Sequence, residues 1–301
     1  MNKIFKIVWS KSRQCYIVVS EYAKNTSGKK AVATALVAFS VLAGSSAVQA
    51  AWPDGAQVGQ SNFQIGRGAK AGIGSGSQNS QAIGVDAEAH QSKDVALGSN
   101  AVAKGLPISN NKAHPATALG AHSNADGDST LAVGFGTNAS STNATAVGAN
   151  ASATGTDSTV VGSGASTNQA SASVLGSNAT VTGVAGTAVG SSSTAANNSF
   201  AGGNNAMAAG GNSVAIGMTT KASGTGSVAV GNTAQATNAS TTAVGDGAKA
   251  TGISSSAFGQ NANASASFAL AVGVGARASD IYTSAFGSGA SAGGTYGTAI
   301  G

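Results

Sequence analysis

The sequence predicts an all-β fold, a parallel β-roll wound from coils of about fourteen residues. Three observations lead there. The first is a glycine that returns on a fixed period. Gly66, Gly84, Gly98, Gly120, Gly134, Gly148, Gly162, Gly176, Gly190, Gly203, Gly217, Gly231, Gly245, Gly259, Gly273, Gly287 and Gly301 are separated by 18, 14 and 22 residues, then by 14 five times, 13 once and 14 seven times. A constant step of this size marks a solenoid in which each repeat stacks on the next. The second is phase, because the bulky apolar residues keep one register to these glycines. The third is composition. With 5% aromatic and 8% charged residues and 44 glycines among 301, the chain lacks the material of an ordinary globular core. The strict phase of Val and Ile also separates it from a disordered linker of similar composition.

Residues 1–50 read as an export leader. Lys29 and Lys30 precede the apolar run 31–44, which is too short to span a bilayer comfortably, and small residues then lead to a cleavage point between Ala50 and Ala51. Seven of the fifteen basic residues lie in this leader with one acid, Glu21. The remaining eight basic and nine acidic side chains leave the rest of the chain at a net charge of about −1, so the basic isoelectric point carries no argument for a nucleic-acid partner. The single cysteine, Cys15, is also in the leader. A mature chain without thiols has no disulfide and no thiolate metal site. Residues 51–65 form a lead-in, and the coils run over 66–301.

Within a coil, the residue before the anchor glycine is Val, Ile, Leu or Phe in every copy but Gly202, and the residue before that is nearly always Ala. This predicts a short strand that ends in a turn at Gly134, Gly148, Gly162, Gly176, Gly217, Gly231 and Gly245. Three and five residues after the glycine the chain is mostly Ala, and the residue between them varies freely: Lys70, Glu88, Ser152, Met207, Lys249, Arg277. That alternation predicts a second strand. Seven residues after the anchor stand Gly155, Gly183, Gly224, Gly252, Gly294, Asn197, Asn238 and Asp280, types that tolerate positive φ, so the second turn is expected there. Stacking of such coils at about 4.8 Å makes a rod of roughly 75 Å.

Volume suggests the faces. The bulky residues Val133, Val147, Val161, Val189, Ile216, Val230 and Val244 are expected inside the roll, against the small pair on the second strand (Ala151 and Ala153 in one coil). The preceding alanines Ala132, Ala146, Ala188, Ala215, Ala229 and Ala243 then form a flat outer row. The opposite arrangement, Ala inward and bulky residues outward, is the alternative. One buried Val or Ile brings about 1.5–3 kcal/mol, whereas ordering costs on the order of 1 kcal/mol per residue. A single roll is therefore short of apolar burial, and the Ala row is the expected surface between chains.

The 22-residue step contains GLPISNNKAHPA, and Pro107 and Pro115 cannot join a central ladder. A loop near 105–116 is expected to leave the roll, with Lys112 and His114 near its tip as candidate ligand contacts. Other patterns carry less. The G-x-G-x-x-A matches such as GDGAKA follow from the repeat and lack a βαβ unit, so no cofactor is expected. His90, His114 and His122 lack ligand spacing, so no metal is expected. Nothing stands out as a catalytic triad or as a carboxylate pair on a sugar-binding groove, and the chain is not read as an enzyme or as a binder of a small-molecule substrate.

Segments such as TAVGANASATG, SVAIGMTTKASG and SVAVGNTAQATN resemble the head repeats of trimeric autotransporter adhesins of the YadA type. The opening MNKIFKIVW, with VVSEYAK at 18–24, resembles the extended signal peptide of large autotransporters. The resemblance implies a left-handed roll, a homotrimer, passage across the inner membrane and display on the surface of a Gram-negative cell. It also implies attachment to host matrix, to host cells or to other bacteria. The family's heptad stalk and C-terminal outer-membrane barrel do not occur up to Gly301, so anchoring is expected only through a C-terminal region outside this sequence. The alternative function is a rigid spacer that presents another domain and binds nothing itself.

Overall fold

The structure, a computed structural model, describes residues 5–10, 15–20, 62–109 and 112–301. Two compact units divide the chain, Met1–Asp54 and Gly55–Gly301. In the first, Phe5–Ser10 pairs antiparallel with Cys15–Ser20. The apolar run 31–44 and the Ala50–Ala51 junction lie outside the described residues.

The second unit is a parallel β-solenoid. Three-residue strands that end just before each anchor glycine form one sheet of seventeen strands, and shorter strands that follow the glycine form a second sheet of sixteen. Each strand pairs in parallel with its counterpart one coil on, in register: Thr145 beside Thr159, Ala146 beside Val160, Val147 beside Val161. The first sheet runs as one open line from Phe63–Ile65 to Thr298–Ile300. The 22-residue step leaves it intact, because Thr117–Leu119 pairs directly with Val95–Leu97. The extra residues stand off as a hairpin of Leu106–Ser109 against Lys112–His114. Pro107 sits in this two-stranded ribbon, where its missing N–H breaks no central ladder.

The interior is lined by four small residues per coil. In one coil these are Ala144, Ala146, Ala151 and Ala153, all fully buried. This reverses the expected faces. Ala132, Ala146, Ala188, Ala215, Ala229 and Ala243 are 0% exposed within a single chain and form no outer row. Val133, Val147, Val161, Val189, Val230 and Val244 are half-buried on the outside of the first sheet, and Ile216 is 42% exposed. The reason is the shortness of both turns. Ala151 N–H already bonds back to the Gly148 carbonyl, and Ser158 N–H to that of Gly155. Two strands joined by such turns leave between the sheets a space that fits Ala, Ser or Thr.

Where the interior takes more volume, it gives way nearby. Val160, Val174 and Val181 are buried in consecutive coils, and a Cβ on Gly186 would lie 2.7 Å from Val181 Cγ1. Buried hydroxyls close the turn carbonyls: Ser158 Oγ donates to Gly155 O at 2.6 Å, Ser123 Oγ to Gly120 O at 2.7 Å, and Thr220 Oγ1 to Gly231 O across the stack at 2.6 Å. Bonds of this kind offset the cost of burying a polar group, although the hydroxyls of Ser223, Ser227 and Ser255 are buried with no hydrogen-bond partner among the described residues.

The anchor glycines hold φ between 121° and 146°, as at Gly148 with 131°, a region that residues with a Cβ rarely enter. The second turn differs from expectation in one respect. Its positive-φ residue is nine positions after the anchor, at Asp157, Ser171 and Asn212 for example, whereas Gly155, Gly183, Gly224 and Gly252 keep ordinary φ and only Gly294 of the expected glycines, at 86°, is positive. Close stacking accounts for those glycines: a Cβ on Gly155 would lie 2.0 Å from the Gln169 carbonyl oxygen, and one on Gly224 would lie 1.8 Å from that of Asn238.

Candidate functional site

With four positions of each coil turned inward, function is left to the outer surface, where three features stand out first: the bulky column of the first sheet, the variable column of the second, and the hairpin.

The bulky column ascends the first sheet without a charged residue, from Ile65 and Ile83 to Phe286 and Ile300, with Leu, Val and Phe between. Gly202 makes no hole in it. Phe200, two residues earlier on the same face, lays its ring there, and a Cβ on Gly202 would meet Phe200 Cε1 at 2.8 Å. An apolar surface this long and continuous is unusual on a soluble monomer.

The variable column begins with charge. Lys70 Nζ bonds Glu88 Oε1 at 2.8 Å and His90 Nε2 lies 3.2 Å from Glu88 Oε2, and the bond from Lys70 holds the Glu88 carboxyl below its usual range. The column continues through Val102 to Asn124 and Asn138, whose amides bond at 2.9 Å, then as Ser152, Ser166, Thr180 and Thr194. Past Met207 it becomes basic again at Lys221, Lys249 and Arg277.

The hairpin is held at its base. Asp94, fully buried, accepts from Gln91 N at 2.7 Å, Gly105 N at 2.9 Å and Ala116 N at 2.8 Å. One carboxylate therefore binds the chain where the insertion leaves the roll and where it returns. Burial pushes its pKa up, against the pull of these three donors. Its position, four before the anchor, is elsewhere Ala, Ser, Thr or Gly, apart from Asn62 in the first coil. The only carboxylate of that column, just ahead of the insertion, was the signal that sequence reasoning passed over. Asp94→Ala would strand two buried N–H groups and should cost about 2–4 kcal/mol. Amide hydrogen exchange at Gly105 and Ala116 reads this directly, by at least a tenfold acceleration.

His114 is not at the hairpin tip. It ends the return strand, with Nδ1 2.8 Å from Asp128 Oδ2. The Ser129 hydroxyl, first, and His114 hold the Asp128 carboxyl below its usual range. His114 is thus a clamp to the next coil, and the side chain of Lys112 lies outside the described residues. Among the described residues no three His, Cys, Asp or Glu side chains are grouped to hold a metal ion.

A further column went unnoticed in the sequence although its spacing is fourteen. Phe268, Tyr282 and Tyr296 stack face to face at 4.9 and 5.1 Å, with interplanar angles of 5° and 2°. All three have φ near +60°, strained for an aromatic residue. Stacking offsets the strain at about 0.5–1.5 kcal/mol per pair. Tyr282→Ala, which loses two pairs and keeps the strain, should destabilise by about 1–3 kcal/mol, and Tyr282→Gly by less, since Gly relieves the backbone. Thermal unfolding of the two variants side by side tests that order.

Residues 1–50 match the family described as the extended signal peptide of the type V secretion system. Residues 75–101, 113–137, 139–165, 222–248 and 250–276 match the YadA head domain repeat. The chain belongs to the YadA-type trimeric autotransporter adhesins. No curated protein matches it significantly. As a YadA-type protein it is secreted and displayed on the cell surface of a Gram-negative bacterium. The YadA-type repeat corresponds to the coil seen here, and residues 166–221, between matched segments, keep the same pairings. The first matched segment ends before the hairpin and the second begins within its return strand.

Proposed function

We propose that the chain is the head of a surface adhesin, assembled as a homotrimer through the bulky column of the first sheet. Its second sheets and hairpins then face outward to host matrix or to cells. The unbroken apolar column is the observation that carries this reading. In an isolated chain it leaves Leu97, Leu175, Ile216, Phe258 and Phe286 between 39% and 52% exposed, and contact with two other copies would supply the burial that an alanine interior lacks. The Ala residues proposed from sequence as the trimer face cannot serve, being inside the coil.

Many weak contacts on three copies of a rigid rod add up through effective concentration. The adhesive reading is tested by the exported chain on surfaces coated with collagen, fibronectin or laminin and on epithelial cells. Binding by the trimer is expected. A verified trimer that binds none of them would leave the spacer reading, which the plain hydroxyl column from Ser152 to Thr194 favours for those coils.

A further inference from the structure

From Thr159 to Gly301 the chain has five charged residues, and its three cations, Lys221, Lys249 and Arg277, all stand in the variable column of the second sheet. Gln235 and Asn263 separate them, so that a cation recurs every second coil. With coils stacked at about 4.8 Å, successive charges are roughly 10 Å apart and the three span about 19 Å along the rod. All three side chains are exposed, and among the described residues no ion pair engages them, in contrast to Lys70, which Glu88 neutralises at 2.8 Å. Thr237, Thr251 and Ser265, just past the ends of the strands that carry Gln235, Lys249 and Asn263, are half-buried or exposed and add hydroxyls beside the column. The two acids of this region are at the coil corners. Asp280 is occupied by Ile281 N at 2.7 Å and Thr295 Oγ1 at 3.4 Å, and Asp246 follows its anchor glycine directly.

We infer that this column is a binding track for a linear anionic polysaccharide, carrying sulfate or carboxylate, laid along the rod. The inference deepens the adhesin reading and rests on the apolar column, not this face, being covered by the other chains. The spacing selects the class of partner. Duplex nucleic acid presents a charge about every 1.7 Å of axis, far denser than these cations, and single strands are held by aromatic stacking, which this column lacks. A lipid surface would call for apolar side chains to enter it, and the column between Lys221 and Arg277 has none. A chain of disaccharides with an anionic group on each repeat sets its charges at nearly the interval of two coils. Ser and Thr hydroxyls are suited to the sugar oxygens between them.

The test is binding of the exported chain to immobilised heparin, with hyaluronan and duplex DNA as competitors. Each exposed ion contact is worth a factor of about two to five, so Lys221→Gln, Lys249→Gln and Arg277→Gln together should weaken heparin binding roughly ten- to hundredfold. Lys93→Gln with Lys104→Gln, far along the rod, should leave it unchanged. Competition by hyaluronan identifies the recognised group as carboxylate, and its failure identifies sulfate; either upholds the inference. Unchanged binding by the triple variant, equal loss in the Lys93 and Lys104 variant, equal competition by DNA, or loss of the oligomer in the triple variant would each overturn it. A chain that keeps heparin through these three residues yet adheres to no matrix protein or cell sinks the wider adhesin reading alone.

Discussion

Gly148→Ala is expected to destabilise the roll by about 2–6 kcal/mol, from two costs of about 1–3 kcal/mol each, backbone strain and overpacking. At φ 131° a residue with a Cβ is strained wherever it stands. Here the Cβ would also lie 2.7 Å from both the carbonyl carbon and oxygen of Gly162. Those atoms are backbone, and Gly162 N–H is itself bonded to Val147 O at 2.8 Å. Neither side can retreat without lengthening the ladder. In a solenoid each coil is held by its two neighbours, so the damage is local, and hydrogen exchange should rise in the coils on either side of Gly148 before the ends respond. Ser152→Ala, on the variable column four residues on, should shift the unfolding temperature little, within about 0.5 kcal/mol.

The second large effect separates the coil from the assembly by one residue. Val230→Asp puts a carboxylate on the outward column, where three copies would bring three charges together, and it should convert the trimer to lower species at concentrations where the unsubstituted protein stays assembled. Removing the apolar contact forfeits about 1.5–3 kcal/mol per chain, and an unpaired charge in the interface adds to that. Ala229→Asp puts the same group into the 0% exposed interior. That coil should lose its β structure whatever the protein concentration. Sedimentation and circular dichroism as a function of concentration distinguish the two. Were Ala229→Asp to dissociate the trimer and leave the coil intact, the original placing of the faces would be restored.

The period, the two strands, the register and the ejected segment were all legible, because main-chain stacking copies one coil onto the next and any departure shows as a change in step. The faces were misread because the largest side chains were assigned to the core by volume alone. Better evidence was present in the tolerance of each column. The column before the anchor accepts both Gly202 and Phe258, which a packed interior of one coil's thickness does not. The positions of Ala146, Ala151 and Ala153 accept little beyond small residues, the mark of a steric limit. Asp94 was hidden for a different reason: a carboxylate that closes an insertion acts on residues up to 22 positions away, and its one mark in the sequence is to be the only carboxylate of its column. The aromatic stack was readable from spacing alone, since Phe268, Tyr282 and Tyr296 stand fourteen apart.

The claim at the centre is that a roll with an alanine interior carries its bulky residues outward to meet other copies of itself. Sedimentation equilibrium of the exported chain tests it most directly. The predicted result is a single species of three chains across the micromolar range, and a folded monomer with that column left in water would contradict it.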